Sequence, residues 1–363
     1  MESQLSHGMD VRGISPVDNT IPAAQRQPIE HLPISEVDFG AADFSSTAMA
    51  ASAEGRDSIF HFQGIAPRTN RLAQKLKQAG IPYVFTSQGQ LLYRGFVHGL
   101  KKFIYLNLLS RFIRDAGGLH YCTQKEADRA RYLLPAWRKP VLVHHNLVRV
   151  PDPASVRPRA RAELGIPAQS FVFAYLGRLD INHKGLDLVV KAFARIATPA
   201  NAFLVLVGPD FAGGRQRLEQ LAGQLGCGER VRFLGSQIGE AKWNTLRMAD
   251  AFVSPSRWEA CSSAQAEAIG FGLPTILSTT ASIAPEVVEY RSALASPLDV
   301  GALAHEMRQL IENPQLRQSL SDLGRKWVLE TCSPETAGAR FEEFYQRVRE
   351  WPQTLSTPTA NHQ

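Results

Sequence analysis

Residues 171–193 read FVFAYLGRLDINHKGLDLVVKAF. An apolar run, Phe171–Leu176, is followed by a polar loop bounded by Gly177 and Gly185, and then by a helical pattern that continues to Ile196. A buried strand, a glycine-bounded loop and a helix in this order are typical of a parallel sheet whose faces are covered by helices. The stretch therefore predicts an α/β fold.

The same alternation continues along the second half of the chain. A helix is predicted over 215–225, and further strands are predicted at Ala202–Val207, Val231–Phe233, Ala251–Ser254 and Pro274–Leu277. In parallel sheets of this kind, ligands bind beyond the carboxyl ends of the strands. We therefore expect the functional residues to follow Leu176, Val207, Val253 and Leu277.

The first half of the chain shows a weaker version of this pattern. An extended run at Asp57–Phe62, a helix over 70–79 and a strand at Tyr83–Thr86 predict a crossover unit. A long helix over 94–115 and a strand at Leu119–Thr123 follow, and a turn-rich stretch at 152–159 separates the two halves. We predict two successive Rossmann-like lobes, divided near residue 150.

Composition limits the class of protein. The 363 residues are 44% hydrophobic and 20% charged, with a formal net charge of +6, which is typical of globular domains and excludes wholesale disorder. No apolar run approaches the roughly 18 residues that cross a bilayer, and the start lacks a charged-then-apolar leader. We therefore expect a cytoplasmic protein of two or three domains.

Cysteine and carboxylate spacing bears on redox state and metals. The four cysteines are widely spaced, at Cys122, Cys227, Cys261 and Cys332, and predict reduced thiols. The sequence contains no Asp-x-Asp and no cluster with metal-ligand spacing. We expect no bound metal.

The loop after the first strand of the second half carries two cations. Arg178 and Lys184 are six residues apart between Gly177 and Gly185, on a loop that opens a helix. Such an arrangement suits the oxygens of a phosphate group. The alternative is two solvated charges on a surface loop.

The loop after Ser254 carries two carboxylates, Glu259 and Glu267, eight residues apart. Ser262 and Gln265 have the spacing of a capping box, which predicts a helix start with the amides of Ser263 and Ala264 unpaired. Such a helix start attracts anions, and both carboxylates would be near enough to reach one ligand. The alternative is that both are exposed and only stabilise the helix start.

Short motifs occur in a fixed order along the second half: Gly177-Arg178, Lys184-Gly185, Val207-Gly208, Phe233-Leu-Gly235, Ala249-Asp250-Ala251, Ser254-Pro-Ser256 and the span from Glu259 to Glu267. In that order and spacing they resemble the donor lobe of family-4 retaining glycosyltransferases, of the group 1 type. The resemblance covers most of residues 55–350. It implies the GT-B fold, in which two Rossmann-like lobes face a cleft.

The resemblance also implies domain limits. Residues 1–150 would form the acceptor-side lobe and 151–332 the lobe that binds a nucleotide sugar. Residues 333–350 would form a closing helix that packs back on the first lobe, and 351–363 a disordered tail. The segment at 6–11 is similar to the end of the family's first helix and its second strand, which implies that the first lobe lacks its first strand-helix unit.

Residue roles follow from the same resemblance. Arg178 and Lys184 would bind the diphosphate of a nucleoside-diphosphate sugar, Glu267 the ribose hydroxyls and Glu259 the transferred sugar, with Arg178, Lys184 and Glu259 as the catalytic set. The donor site would also include Gly177, Gly235, Ser262 and Ser263. The fixed cations would stabilise the leaving diphosphate without a metal or cofactor. The acceptor hydroxyl would attack on the same face as the departing phosphate, so no protein nucleophile is required.

Some positions depart from the family pattern. Glu259-Ala260-Cys261-Ser262 stands where the family usually has Glu-Gly-Phe-Gly, so side chains replace both glycines where the backbone would approach the sugar closely. Gln88 stands where the first lobe usually has a histidine, which leaves His61 as the candidate on the acceptor side. A catalytically degenerate protein that binds a nucleotide sugar or a partner without turnover is therefore the alternative function.

The first lobe is strongly basic. Between Arg68 and Lys139 there are fourteen basic and three acidic residues, and apolar residues alternate with lysines and arginines over 96–114. A basic amphipathic helix of this type suits an anionic membrane surface and a carbohydrate or lipid-linked acceptor, with the protein peripheral on the inner face of the membrane. The alternative is a buried helix with a solvated basic face. We expect no nucleic-acid partner, because zinc-finger spacing and aromatic RNA-binding motifs are missing.

Overall fold

The computed structural model describes residues 13–16, 34–37, 59–64, 67–89 and 111–351. Three predictions fall outside these residues. They are the shortened start around 6–11, most of the basic helix over 94–115, and the tail from 352 onward. The chain divides into one unit of Met1–His144 with Pro334–Gln363, and a second unit of His145–Ser333.

The first unit contains parallel sheets. Its strands are β1 (Gly13–Pro16), β2 (Ile34–Val37), β3 (Phe60–Gln63), β4 (Tyr83–Thr86), β5 (Gly118–Tyr121) and β6 (Val141–Val143). β1 pairs with β2, and β3 to β6 form a four-stranded sheet in sequence order. Its helices are Pro67–Gln78, Gln124–Leu133 and Pro334–Glu350, and residues 111–115 are also helical.

Helix Pro334–Glu350 lies close against this four-stranded sheet. A side chain added at Gly118 would place its Cβ 2.7 Å from Val348 and 2.8 Å from Phe344. Phe344 and Val348 form a buried cluster with Val84 of β4. The glycine on β5 therefore allows the aromatic helix face to approach the strand backbone.

The second unit is built on a six-stranded parallel sheet. Its strands are β7 (Phe171–Leu176), β8 (Ala202–Val207), β9 (Val231–Phe233), β10 (Ala251–Ser254), β11 (Thr275–Ser278) and β12 (Leu294–Ser296). Their order is β12-β11-β10-β7-β8-β9. The chain therefore leaves β7 in one direction and returns to its other side at β10, which is the doubly wound order with its switch point between β7 and β10.

Helices cover both faces of this sheet. They are Ile181–Lys184, Leu186–Ala194, Gly214–Gln224, Gly239–Met248, Ser263–Gly270, Ala284–Glu289, Val300–Glu312 and Pro314–Thr331. The adjacent residues Val172 and Phe173 of β7 belong to separate buried clusters on opposite faces. A strand buried on both faces is apolar throughout, which is why the strand at Phe171–Leu176 could be predicted from the sequence.

The predicted elements differ from the observed ones in a few places. β7, β8, β9 and β10 have the predicted bounds, whereas the helix predicted over 185–196 is two helices separated by Gly185. Gly185 has φ +67°, a left-handed conformation that ends the first short helix and begins the second. Among the described elements, β1, β2, β6, β12 and the helices Gln124–Leu133, Gly239–Met248 and Ala284–Glu289 were not predicted. No helix within the described ranges is long and apolar enough to cross a membrane.

Candidate functional site

The ends of β7 and β8 lie in close contact. Gly177 and Gly208 follow these strands with φ of +151° and +149°. A Cβ on Gly208 would lie 1.9 Å from the carbonyl oxygen of Gly177, and the Leu179 amide donates to the Pro209 carbonyl at 2.9 Å. The loop that carries the two cations is therefore held against its neighbour at the carboxyl edge of the sheet.

Arg178 is exposed on this loop. The Tyr175 hydroxyl donates to the Arg178 carbonyl at 2.9 Å, and the guanidinium lies over the ring of Phe211 at 4.8 Å from its centroid. A guanidinium over an aromatic face is attracted by the negative face of the ring. The predicted cation is thus positioned at the end of β7 with donors in solvent.

Lys184 contacts Glu259 directly. The lysine ends the short helix Ile181–Lys184, which Asp180 caps by accepting from the His183 amide at 3.0 Å. The Lys184 ammonium donates to Glu259 Oε2 at 2.5 Å, and the two side chains are only 15% and 11% exposed. The sequence prediction assigned them to different parts of a ligand. The structure brings them together as a partly buried ion pair.

The loops after β7 and β10 are joined by further contacts. Arg257 donates to both carboxylate oxygens of Asp187 at 2.8 Å, and the ring of His183 stacks on Trp258 with centroids 3.4 Å apart. Burial alone would raise the pKa of Asp187, but the hydrogen bonds and charge of Arg257 hold this pKa below its usual value. The two loops therefore form one platform at the switch point of the sheet.

Glu267 has a different partner. It lies in the first turns of the helix Ser263–Gly270, where Lys242 donates to Glu267 Oε1 at 2.8 Å and also lies over the ring of Trp243. The carboxylate and the ammonium are 18% and 17% exposed. Sequence reasoning missed Lys242, because it stands on the separate helix Gly239–Met248 and no motif contains it.

The predicted capping box is wrong, although the helix start is correct. Ser262 occupies the N-cap position, but its side chain makes no capping hydrogen bond. Gln265 is fully buried and donates instead to Ser254 Oγ at 3.1 Å, at the end of β10. Tertiary burial therefore overrides the local capping preference. Ser263 is the exposed first residue of this helix.

The remaining donor-side residues lie at the same edge of the sheet. Gly235 follows β9 with φ +68°, and its carbonyl accepts from the Gly208 amide at 2.7 Å. The segment at Glu259 bridges to Ala281 in parallel fashion, and the Ser282 amide donates to the Glu259 carbonyl at 2.9 Å. These backbone contacts hold the segment in which Ala260-Cys261-Ser262 replaces the usual family residues. Among the described residues, no group of histidine, cysteine and carboxylate side chains could hold a metal ion.

The acceptor-side candidates lie in the first unit. His61 hydrogen bonds with Tyr345 at 2.8 Å and with Thr86 at 2.6 Å, and Thr86 also bonds with His120 at 2.8 Å. His120 donates through Nε2 to the carbonyl of His144 at 2.8 Å. His61 is therefore one member of a hydrogen-bonded chain that ties β3, β4 and β5 to the helix Pro334–Glu350.

Gln88 is exposed with φ +46°, and its amide donates to Gln63 at 3.1 Å. The loop around it is held by the buried carboxylate of Glu126, which accepts from the Ser87 hydroxyl and from the Gly89 amide at 2.6 Å. Sequence reasoning missed Glu126. The spacing of Thr123 and Glu126 is a capping-box signal that would have located it, and Thr123 does cap that helix.

We expect acidification to destabilise the first unit through His61. Burial, and next the neighbouring His120, lower the pKa of His61 well below its usual value of 6.5. As the pH is lowered, His61 takes up its proton at a higher pH in the unfolded chain than in the folded chain. The free energy of unfolding therefore falls as pH drops below about 6.5. We expect the free energy of unfolding, measured in urea, to fall less between pH 7.5 and pH 5.5 for His61→Gln than for the natural chain. His305→Gln, at an exposed position, is the control, and an equal loss in all three chains would contradict the prediction.

Comparisons with known sequences match two successive stretches of the chain. Residues 156–327 match the family described as Glycosyl transferases group 1, and residues 3–147 match the Glycosyl transferase 4-like domain. Lipopolysaccharide core biosynthesis glycosyltransferase LpsD of Rhizobium meliloti (strain 1021) is 34% identical over 58% of this chain and 59% of that protein. N-acetyl-alpha-D-glucosaminyl L-malate synthase of Bacillus anthracis is 31% identical over 46% and 42%. The chain thus spans about half the length of these relatives.

Solved structures resemble the chain over most of its length. The sucrose-phosphate synthase of Thermosynechococcus elongatus matches with a TM-score of 0.75 and 21% identity, over 96% of this chain and 91% of that one. HepE of Anabaena, solved with UDP-glucose, has a TM-score of 0.70 and 19% identity, over 87% and 86%. At these identities the likeness shows the fold, which is GT-B. With this fold and with the two sequence families matching both parts of it, the chain belongs to the group 1 glycosyltransferases.

Proposed function

We propose that the chain is a retaining glycosyltransferase of the hexosyltransferase type, which moves a sugar from a nucleoside-diphosphate sugar to a hydroxyl acceptor. The observation that carries the proposal is the ion pair between Lys184 and Glu259 at the switch point of the second sheet. This pair joins the loop suited to phosphate with the loop suited to a sugar. A nucleotide-sugar donor is supported by HepE, whose structures contain UDP and UDP-glucose.

In the proposed chemistry each charged side chain of the site has one role. Departure of the nucleoside diphosphate leaves growing negative charge on its oxygens, which Arg178 and Lys184 would stabilise most in the transition state. Glu259 would accept hydrogen bonds from the transferred sugar, and Glu267 from the ribose hydroxyls. The acceptor hydroxyl would attack on the face from which the phosphate departs and give its proton to the departing phosphate oxygen. In this scheme the fixed cations take the place of a metal.

The acceptor is proposed from the relatives and from surface charge. LpsD acts in lipopolysaccharide core biosynthesis by name, which supports a surface-polysaccharide or glycolipid acceptor. In the first unit, Tyr132 and Leu133 are 75% and 44% exposed, and Arg129 lies over the Tyr132 ring. An exposed aromatic and a leucine among basic residues suit an anionic membrane surface, which supports a peripheral position on the cytoplasmic face.

A second candidate function is binding without turnover. It is favoured by Ala260 and Ser262, whose side chains stand where the resembling family has glycine, beside the proposed sugar position. The two functions share a nucleotide site and differ in whether the sugar is transferred. Binding of a nucleotide sugar with no product from a panel of hydroxyl acceptors would support this second function.

Glu267 provides the sharpest test of the nucleotide site. Calorimetry with UDP, GDP and ADP identifies the preferred diphosphate, which is then compared with its 2′-deoxy form. A hydrogen bond to a charged group is worth about 1.5–3 kcal/mol, so the natural chain should prefer the ribose form by about 10- to 100-fold. Glu267→Gln should lose most of this preference, because the carboxylate that accepts from the ribose hydroxyls is gone.

The matched control is Glu219→Gln, at a half-exposed carboxylate that pairs with Arg215 on the helix Gly214–Gln224. This variant should keep the full preference for the ribose form. An equal preference in the Glu267 variant and the natural chain would contradict the ribose assignment. If none of the three diphosphates binds the natural chain, the proposed donor is wrong.

A further inference from the structure

Lys242 and Glu267 lie on helices that begin at the same edge of the second sheet. The helix Gly239–Met248 follows β9 and the helix Ser263–Gly270 follows β10, and each residue is within the first two turns of its helix. Helices that follow parallel strands begin at the carboxyl edge, where doubly wound sheets bind their ligands. The ion pair is therefore placed at the ligand-binding edge of this sheet.

Two aromatic rings hold the lysine of this pair. The Lys242 ammonium lies 4.2 Å from the centroid of the Trp243 ring, and the centroid of this ring lies 5.2 Å from that of Phe271. Phe271 is buried and directly follows the helix that carries Glu267. Attraction to the ring face, together with the contact between the two rings, therefore keeps the ammonium beside the carboxylate.

The carboxylate of Glu267 is held by one of its two oxygens. Lys242 donates to Oε1 at 2.8 Å, whereas no hydrogen bond from the described part of the chain reaches Oε2. The two side chains are mostly shielded from solvent, so water screens their attraction only in part. A free glutamate side chain loses rotamer entropy when it binds a ligand. The ion pair restricts Glu267 beforehand and leaves Oε2 able to accept from a hydroxyl.

We propose that Lys242 is a positioning residue of the nucleotide site, which fixes the Glu267 carboxylate for the ribose hydroxyls and so makes the site selective for ribonucleoside diphosphates. This role rests on the proposed function, in which Glu267 accepts from those hydroxyls. Two other roles of Lys242 give different results. An ammonium that contacted the phosphates, or a pair that only joined the two helices, would change the affinity for every nucleoside diphosphate by one factor, with or without the ribose hydroxyls.

Calorimetry measures the preference for ribose. The nucleotide is whichever of UDP, GDP and ADP the natural chain binds best, compared with its 2′,3′-dideoxy form. Ordering one side chain on binding weakens affinity by about 2- to 12-fold, so Lys242→Met should lower the ratio of the two affinities by about this factor. Affinity for the dideoxy form should change less than about twofold, which also shows that the variant is folded.

Two further variants serve as rescue and control. Lys242→Arg keeps a charge and a donor, and it should retain at least about half of the natural ratio. Lys326→Met, at an exposed lysine that pairs with Glu330, should keep the full ratio. A ratio that falls in Lys242→Met and recovers in Lys242→Arg would support a positioning role.

The double variant Lys242→Met/Glu267→Gln tests whether the two residues act together. Adding Lys242→Met to Glu267→Gln should change the ratio less than about twofold, because the carboxylate that Lys242 positions is then absent. An unchanged ratio in Lys242→Met, an equal loss for both forms of the nucleotide, or a further loss in the double variant would each overturn this role and leave the proposed function standing. A natural chain that shows no preference for ribose, or binds none of the three diphosphates, would overturn the proposed nucleotide site and this role with it.

Discussion

Lys184→Met is expected to lower the kcat of sugar transfer by about 10²–10³, because one preorganised donor to a developing anion contributes about this much. The ammonium of Lys184 is held in place by Glu259 at 2.5 Å, so it needs little reorganisation when the diphosphate departs. Methionine keeps the length of the side chain and removes the charge. Initial rates with a saturating nucleotide sugar measure the effect.

The loss of sugar transfer in this variant must be distinguished from a loss of folding. Loss of one partner of a buried ion pair costs about 3–5 kcal/mol, and this pair is partly exposed, so a smaller loss is expected. The double variant Lys184→Met/Glu259→Gln removes both charges and should recover most of the free energy of unfolding while transfer stays low. Lys191→Met, at a more exposed lysine on the next helix, should change kcat less than about twofold. A folded Lys184 variant that keeps more than a third of the natural rate would contradict the assignment.

Gly185→Ala is expected to have the largest effect on stability. Gly185 has φ +67°, and a Cβ there would lie 2.2 Å from the Pro255 carbonyl oxygen, which belongs to the backbone and cannot rotate away. The left-handed conformation costs about 1–2 kcal/mol for alanine and overpacking about 1–3 more, so we expect a loss of about 2–5 kcal/mol. Because Pro255 leads into the Glu259 loop, the clash should also separate the two loops of the site and lower nucleotide affinity.

Gly213→Ala separates the cost of the clash with Pro255 from the cost of a left-handed backbone conformation. Gly213 has φ +70°, almost the same conformation, but a Cβ there would meet no atom within 4 Å. Its loss in urea unfolding should therefore be only about 1–2 kcal/mol, with nucleotide affinity unchanged. Equal losses at the two glycines would show that the Pro255 contact does not constrain the site.

The apolar strands of the second unit could be predicted from sequence because they are buried on both faces. β7, β8 and β10 read as continuous hydrophobic runs ended by glycine or serine, and this signal needs no knowledge of partners. The loops at their carboxyl ends followed from the parallel arrangement, so Arg178, Lys184, Glu259 and Glu267 could be named as candidates. The three-residue strands β6 and β12 were missed, whereas β9, which is equally short, was predicted.

Local sequence therefore determined the elements, the sheet type and the loops that carry charge, because backbone conformation and burial pattern act over a few residues. The pairing of those charges was decided by tertiary structure alone. Lys184 meets Glu259 across 75 residues, Lys242 meets Glu267 across 25, and His145 meets Glu286 across 141. The Gln265 side chain likewise donates to Ser254 and does not make the predicted capping contact, since a buried amide must be hydrogen-bonded and the strand end provides the partner. Such pairs depend on strand order and loop path, which no stretch of sequence contains.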